Sequence, residues 1–385
     1  MRDLLICCPS ARDLAAAAEA EGYRVHAVGH DADEGGFDPA ALLEEAERLP
    51  AAGVVGSKDR SALLAALVAQ RRALPGPTPA ALLRCQHKPT SRLLQRAAAP
   101  EAVPGFAELD GMLPFAPPFF VKPVVGRLSQ GAFRLDRAEQ LPRPVHDAYR
   151  ESFARMAALA GIDGIDFDGY LAERIVEGDE VTLEGYVFAG EVVVVGVTDS
   201  VCYPGTRSFE RFEYPSRLPR ARLDELAEIA TRVVPALGFD GGFFNVEFAV
   251  PERGVPQVIE VNARIASQFA PLVRATQGRS TYDALFALAC GDDPAWTRRE
   301  PEGVAVSWAM RVFEDAFVEA VPEPEPGLEL LVGPGRRLSE QGVNDSASFR
   351  LAIFSEHGET RAEALERCRR RSAELLQRFR LCSAA

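Results

Sequence analysis

The sequence predicts a mixed protein, a parallel α/β unit followed by a longer α+β region, and three observations carry that reading. Over residues 1–85, apolar runs of strand length alternate with Ala-rich helical stretches, the pattern of a parallel sheet. From 86 to about 300 the strands alternate polar and apolar residues and include a short hairpin connection, which points to antiparallel pairing. After the Pro- and Glu-rich stretch at 321–327, short strands and a final helix close the chain as a C-terminal α+β region over 301–385.

Taken in order, residues 4–8 form a continuous apolar run, as expected of a strand buried on both faces. Residues 13–22 are Ala-rich and stop at Gly22, the pattern of a helix with a glycine end. A second strand is expected over 23–28 and a third over 53–56, followed by a helix over 60–74 that Pro75 closes. No G-x-G-x-x-G follows the first strand, so dinucleotide binding is not indicated there. Strands are expected at 119–125, 181–187, 191–197, 243–248 and 257–261, with a helix over 222–237. The two strands between 181 and 197 form a hairpin turning at 188–191. The last helix opens with the capping-box spacing Thr360-x-x-Glu363 and carries Leu365, Cys368, Leu375, Leu376 and Phe379 on one expected face.

The chain has 385 residues, enough for two or three domains at ~100–200 residues each. Its 43 Lys and Arg against 56 Asp and Glu give a formal charge of -13. An acidic excess repels phosphate backbones and anionic bilayers, so neither nucleic acid nor membrane is an expected partner. Small anions such as nucleotides remain open, because a few local cations suffice for them. Seven scattered cysteines with no C-x-x-C pair argue against a disulfide framework or a zinc site and for the cytoplasm. The N-terminal apolar run is too short for a secretion signal, and the longest internal one, residues 192–197, is strand-sized.

The strongest chemical signal is Gly242-Phe-Phe-Asn-Val-Glu247-Phe, followed by Gln257-Val-Ile-Glu260-Val-Asn262-Ala-Arg264. Each of two apolar strands delivers a carboxylate, and Glu260, Asn262 and Arg264 follow at the two-residue strand period. Carboxylates and a carboxamide oxygen are hard donors of the kind Mg²⁺ takes together with phosphate oxygens. Read alone, the same charges also fit a structural ion pair between Glu260 and Arg264 on a solvated sheet; Val258, Ile259 and Val261 between them favour a packed one. Upstream, Lys122 ends an apolar strand and runs into a loop with Gly126, Ser129 and Gly131, whose backbone N–H groups could cover phosphates. Lys88 stands just before a helix, and Glu173 and Glu180 lie seven apart around Gly178. The loop 202–216 carries Arg207 and Arg211, either of which could pair a substrate carboxylate or simply face solvent.

In this order, Lys88, Val121-Lys122-Pro123, the Gly/Ser loop, Glu173-x4-Gly178-x-Glu180, Glu247 and Glu260-x-Asn262-x-Arg264 resemble the ATP-grasp superfamily. The stretch Trp308-Ala-Met-Arg311-Val-Phe-Glu-Asp315 is similar to the subgroup that contains L-amino-acid ligases and biotin carboxylase. The resemblance implies an ATP-grasp fold: a pre-ATP-grasp α/β domain over 1–85, a nucleotide-binding and catalytic region over 86–300 with a lid-like part near 105–175, and the region 301–385 completing the active site. It implies ATP with Mg²⁺ or Mn²⁺, and an ADP-producing ligase that joins a small carboxylate to an amine through an acyl-phosphate, with a homodimer as the common assembly. By the same resemblance Lys88 and Lys122 would contact phosphates, and Gly126, Ser129 and Gly131 would form the loop over them. The backbone around Glu173 and Val176 would read adenine, Glu180 would accept from the ribose, Glu247, Glu260 and Asn262 would hold the metal, and Arg264 and Arg311 would be catalytic.

Two alternatives stand beside the ligase: a biotin-carboxylase-like enzyme and a non-catalytic ATP-binding regulator. Against the first, Gln268 occupies the position four beyond the arginine where biotin carboxylases resemble one another in having a glutamate, and a carboxamide is no base at neutral pH. Against the second, the metal-type residues are all present. His87 stands where an Asp often precedes the first lysine, and Ala266 and Ser267 stand where many such ligases have glycine.

Overall fold

A computed structural model describes residues 1–9, 12–30, 36–127, 130–140, 142–143, 146–297, 299–341 and 348–383. The first unit is β1 (Asp3–Cys7), α1 (Arg12–Ala20), β2 (Arg24–Val28), α2 (Pro39–Arg48), β3 (Gly53–Val55) and α3 (Asp59–Arg71). Its strands pair in parallel in the order β2-β1-β3, as the alternation of strand and helix predicts. Two helices follow, α4 (Pro79–Gln86) and α5 (Lys88–Ala98). Each starts from a side-chain cap with proline in its first turn: Thr78 accepts the Ala81 N–H, and His87 Nδ1 accepts the Thr90 N–H. His87 thus caps α5 as an aspartate would. Its other nitrogen, Nε2, donates to the Asp166 carbonyl at 2.9 Å, and burial lowers the pKa of the ring, in keeping with a neutral imidazole.

Next comes a small antiparallel sheet of β4 (Phe106–Glu108), β5 (Phe119–Pro123), β6 (Phe133–Leu135) and, after α6 (Ala148–Leu159), β7 (Tyr170–Glu173), in the order β4-β7-β5-β6. The chain then builds β8 (Asp179–Phe188), β9 (Glu191–Cys202), β10 (Phe209–Tyr214), α7 (Arg220–Ala236), β11 (Gly242–Val250), β12 (Gln257–Asn262), α8 (Ala270–Gln277) and α9 (Thr281–Ala289). The expected hairpin is present: Phe188 pairs with Glu191 across Ala189 and Gly190, both with positive φ, the geometry a two-residue hairpin turn requires. The last elements are β13 (Val304–Val312), β14 (Ala316–Ala320), β15 (Leu328–Leu330), β16 (Arg336–Arg337), β17 (Phe349–Gly358), α10 (Arg361–Arg378) and β18 (Arg380–Ser383).

Among the described residues the large antiparallel sheet runs β12-β11-β8-β9-β10-β13-β17-β15, so strands after residue 300 extend the sheet begun before it. On one face Val181, Leu183, Val246, Phe248, Val258 and Val261 pack into the core shared with α7 and the N-terminal unit. The opposite face packs Tyr186 and Phe243 against α8 and α9, and further along it carries polar residues instead. In α10, Thr360 accepts the Glu363 N–H as the capping spacing predicts, while Glu363 reaches back to the Glu359 N–H, one residue earlier than a standard box. Cys368, Leu375 and Phe379 are buried there, but Leu376 is exposed, because it sits about 100° around the helix from Leu375 and past the edge of the apolar stripe. No helix among the described residues is long and apolar enough to cross a membrane.

Gly178 makes the step from β7 into β8. Its φ is +131°, and a Cβ there would lie 2.3 Å from the Val250 carbonyl carbon, so both conformation and space demand glycine. Gly190 at the hairpin also has positive φ, but its Cβ would meet open space. Gly178→Ala should therefore lower unfolding stability by roughly 2–4 kcal/mol, strain plus a backbone clash, against ~1 kcal/mol for Gly190→Ala. Urea titrations of the two variants measure the difference, and equal losses would remove the close approach to Val250.

Candidate active site

The register of β11 on β12 places Glu247 opposite Glu260 and Asn245 opposite Asn262. Opposed residues of an antiparallel pair share a face, with Cβ atoms about 4.5–5.5 Å apart. β8 continues both rungs inward, Thr182 beside Glu247 and Glu184 beside Asn245, with Glu180 one rung further along. Two strands thus bring two carboxylates face to face. Asn262 donates its amide to Asn245 Oδ1 at 2.9 Å and to Glu247 Oε1 at 3.1 Å, which holds its polar end against the pair.

Cations approach this face from other elements. Lys88, in the first turn of α5, lies 2.9 Å from Glu260 Oε1. Lys122 of β5 lies 2.8 Å from Glu173 Oε2 and donates to the Ile259 carbonyl at 3.3 Å. Arg92, one turn beyond Lys88, takes the other Glu173 oxygen and donates to the same Ile259 carbonyl at 2.7 Å. Burial would push the Glu173 carboxyl up, but Arg92 and Lys122 outweigh it and hold it at about 2. Burial works likewise against Glu260, and Lys88 with Lys122 more than offsets it, so its pKa is lowered. Glu247 goes the other way. Burial, then the charges of Glu260 and Glu180, push it well above the carboxylate range, with Arg264 and Lys122 offsetting only part. Glu180 is pushed up to about 7 by burial against Lys122 and Arg207. Glu184 is pushed up to about 8 by burial against the Ala266 N–H, 3.2 Å away, and Arg264.

Arg264 does not pair with Glu260: its Nε donates to Asp59 Oδ1 at 2.7 Å. Burial lowers its pKa, but Asp59 first, then Glu247 and Glu260, raise it beyond the ordinary value. Near Gly126, the Gln130 N–H donates to the Arg127 carbonyl at 2.8 Å, and Gly131 takes a φ of +71°. The Lys88 N–H donates to the Val124 carbonyl at 2.9 Å, which ties the start of that loop to α5. Ser129 lies outside the described residues. Glu173 is a buried bridge for two cations inside the small sheet, between Phe106 and Phe120, while Val176 lies in the segment joining β7 to β8. Arg311 is buried on β13, donating to the Phe209 carbonyl at 3.1 Å and to Ser348 Oγ at 3.0 Å. Arg211 pairs with Glu210 and Glu213 within the protein. Arg207 lies 4.2 Å from the centre of the Phe120 ring, which moves it toward β5.

Sequence reading missed Asp59, Arg92, Asn245, Thr182 and Glu184. Asn245 and Arg92 had a signal, the strand period before Glu247 and the four-residue helical spacing after Lys88. Asp59 had none, being 205 positions from Arg264. Among the described residues no three His, Cys, Asp or Glu side chains form a metal cage by themselves. Two facing carboxylates and an amide instead suit a hard cation that takes its remaining ligands from water and phosphate, and the raised Glu247 marks the place where a second positive charge is wanted.

A carboxyl held above its unfolded pKa stabilises the fold while protonated, and that contribution is lost as pH rises through the raised value. Without divalent cations the melting temperature should fall on going from pH 6.5 to 8.5. Differential scanning calorimetry checks this; a melting temperature that is unchanged or rises between these pH values would contradict it.

Residues 115–271 match the ATP-grasp domain family. Among curated proteins, the chain is 28% identical over 279 residues to the uncharacterized protein y4rH of Sinorhizobium fredii, covering 70% of this chain and 54% of that one. It is 26% identical over 153 residues to D-alanine–D-alanine ligase of Flavobacterium psychrophilum, covering 38% and 41%. The chain spans about half the length of these curated relatives. L-amino acid ligase from Bacillus licheniformis has a similar structure, with a TM-score of 0.72 at 18% identity over 100% of this chain and 99% of that one, a likeness of fold. Residues 115–271 are therefore an ATP-grasp domain, set in a chain that has the ATP-grasp fold.

Proposed function

We propose that the protein is an ATP-dependent ligase that joins a small, amino-acid-like carboxylate to an amine, by way of an acyl-phosphate and with release of ADP and phosphate. The observation that carries this is the facing pair Glu247 and Glu260 with Asn262, approached by Lys88, Lys122 and Arg264. The ligase names of two of the similar proteins support it. Acidic charge and seven free cysteines suit a cytoplasmic enzyme working on small molecules rather than nucleic acid, and a homodimer is the assembly proposed.

In this reading Glu247, Glu260 and Asn262 hold Mg²⁺, or Mn²⁺ in its place. The metal, when bound, neutralises charge on the phosphate oxygens. Lys88 turns from Glu260 to a phosphate and Lys122 from Glu173, each exchanging one anion for another. The loop from Gly126 through Ser129 to Gly131 covers the phosphates and excludes water, the backbone about Glu173 and Val176 meets the adenine edge, and Glu180 accepts from the ribose hydroxyls. The substrate carboxylate oxygen attacks the γ-phosphorus, whose bond to the bridging oxygen breaks to leave ADP. Arg264 steadies the charge on the acyl-phosphate and on the tetrahedral species formed when the amine attacks its carbon; the carbon–oxygen bond to phosphate then breaks, and phosphate leaves with the proton lost by the amine. Arg311 holds the carboxylate-bearing partner. Gln268, exposed in the turn after β12, offers no base for bicarbonate and disfavours carboxylation.

The test is a phosphate-release screen with ATP, Mg²⁺ and pairs of amino acids, with condensed products read by mass. ADP is the expected nucleotide; AMP would overturn the acyl-phosphate, and bound nucleotide without turnover would favour a regulator. Glu260→Gln should cut turnover at least ~100-fold with the fold intact by circular dichroism, since a metal ligand is lost; retained activity would remove the metal assignment. Arg311→Lys should raise the Michaelis constant for the carboxylate substrate and leave that for ATP unchanged; an unaltered value takes Arg311 out of the substrate site.

A further inference from the structure

Arg264 is surrounded by competing anions. Asp59 Oδ1 accepts its Nε at 2.7 Å, while Glu247 and Glu260 attract the same guanidinium from the neighbouring strands. The three carboxylates differ in where they are anchored. Glu247 and Glu260 lie on β11 and β12, and Arg264 stands two residues past the end of β12 rather than on the strand as its spacing suggested, whereas Asp59 is the first residue of α3 in the N-terminal unit.

That first turn is firmly placed. Gly56, just before it, lies so close to the helix that a Cβ would come 2.2 Å from the Ser61 carbonyl carbon, and the Asp59 carbonyl accepts Gln86 Nε2 of α4 at 2.9 Å. The Asp59 side chain is 14% exposed and that of Arg264 25%, so the pair is sheltered but not sealed from solvent. On the other side, the Arg264 carbonyl accepts Asn245 Nδ2 at 2.9 Å, which ties the backbone of the arginine to the rung holding Asn262.

We infer that Asp59 is a positioning residue for Arg264, holding its guanidinium to one side so that Glu247 and Glu260 stay available to a divalent cation. The inference rests on the function proposed above and adds a role for the N-terminal unit, which then sets the charge balance of the site across the domain junction. Without the Asp59 charge, Arg264 turns to the sheet carboxylates and competes with the metal for them.

The test is calorimetric binding of ADP over a series of Mg²⁺ concentrations, for wild type, Asp59→Asn and Asp59→Glu, with melting temperatures measured alongside. Asp59→Asn keeps the shape and removes the charge. It should weaken the apparent Mg²⁺ dependence about ten-fold and lower kcat by ~10–100-fold, with the KM for ATP at saturating Mg²⁺ within two-fold of wild type. Asp59→Glu, which restores the charge on a longer arm, should recover part of the Mg²⁺ response. A wild-type Mg²⁺ dependence in Asp59→Asn would overturn the inference. So would a response lost together with a large fall in melting temperature and not recovered by Asp59→Glu, the mark of a purely structural contact. Wild type that binds no ADP at any Mg²⁺ concentration would overturn the nucleotide-site reading itself, and this role of Asp59 with it.

Discussion

Two half-buried carboxylates facing each other across antiparallel strands are the constraint around which the rest of this site is arranged. Like charges at that spacing cannot both ionise cheaply, and the asymmetry between Glu260, lowered by Lys88, and Glu247, raised by burial and its neighbours, is the physical outcome. Lys88 neutralises one member and Asn262 offers its amide to the other, but the pair still wants a further positive charge. That want is what makes a divalent cation a natural occupant and gives the proposed nucleotide site its location.

The cations show the complementary property. Lys88, Lys122, Arg92 and Arg264 each have a carboxylate partner within the protein, Lys122 and Arg92 sharing Glu173, so none of these cations waits unpaired for a phosphate. Bringing in a polyanion with its metal then becomes an exchange of partners. Under the proposed function, Lys88 and Lys122 release Glu260 and Glu173 to meet phosphate, and Glu173 does not become an isolated buried charge because Arg92 remains with it. This is why the side chains of Glu173 and Arg92, which need touch no ligand themselves, belong to the site's electrostatics.

The parts of the site that lie along strands were legible in the sequence, because the two-residue period converts spacing directly into facing. Glu260 and Asn262 could be put on one face that way, and the hairpin between β8 and β9 followed from a two-residue turn carrying glycine. Contacts between distant elements were not legible. Arg92 meets Glu173 over 81 positions and Arg264 meets Asp59 over 205, and no local pattern encodes such meetings. Arg211 is a further case: the sequence left a substrate contact and a solvent-facing role both open for it, and the structure pairs it instead with Glu210 and Glu213 on its own strand. The role of His87 as a helix cap was hidden for a third reason, since imidazole is a rare cap and only its contacts with Thr90 and Asp166 reveal it.

The central claim is that Glu247 and Glu260 share a divalent cation that accompanies a nucleotide. Crystals grown with ADP and Mn²⁺, recorded at a wavelength where manganese scatters anomalously, test it most directly. The account predicts an anomalous peak between the two carboxylates, about 2 Å from an oxygen of each and in contact with a phosphate oxygen. Bound ADP with the manganese elsewhere, or Lys88 still seated on Glu260 with no metal between the carboxylates, would contradict it.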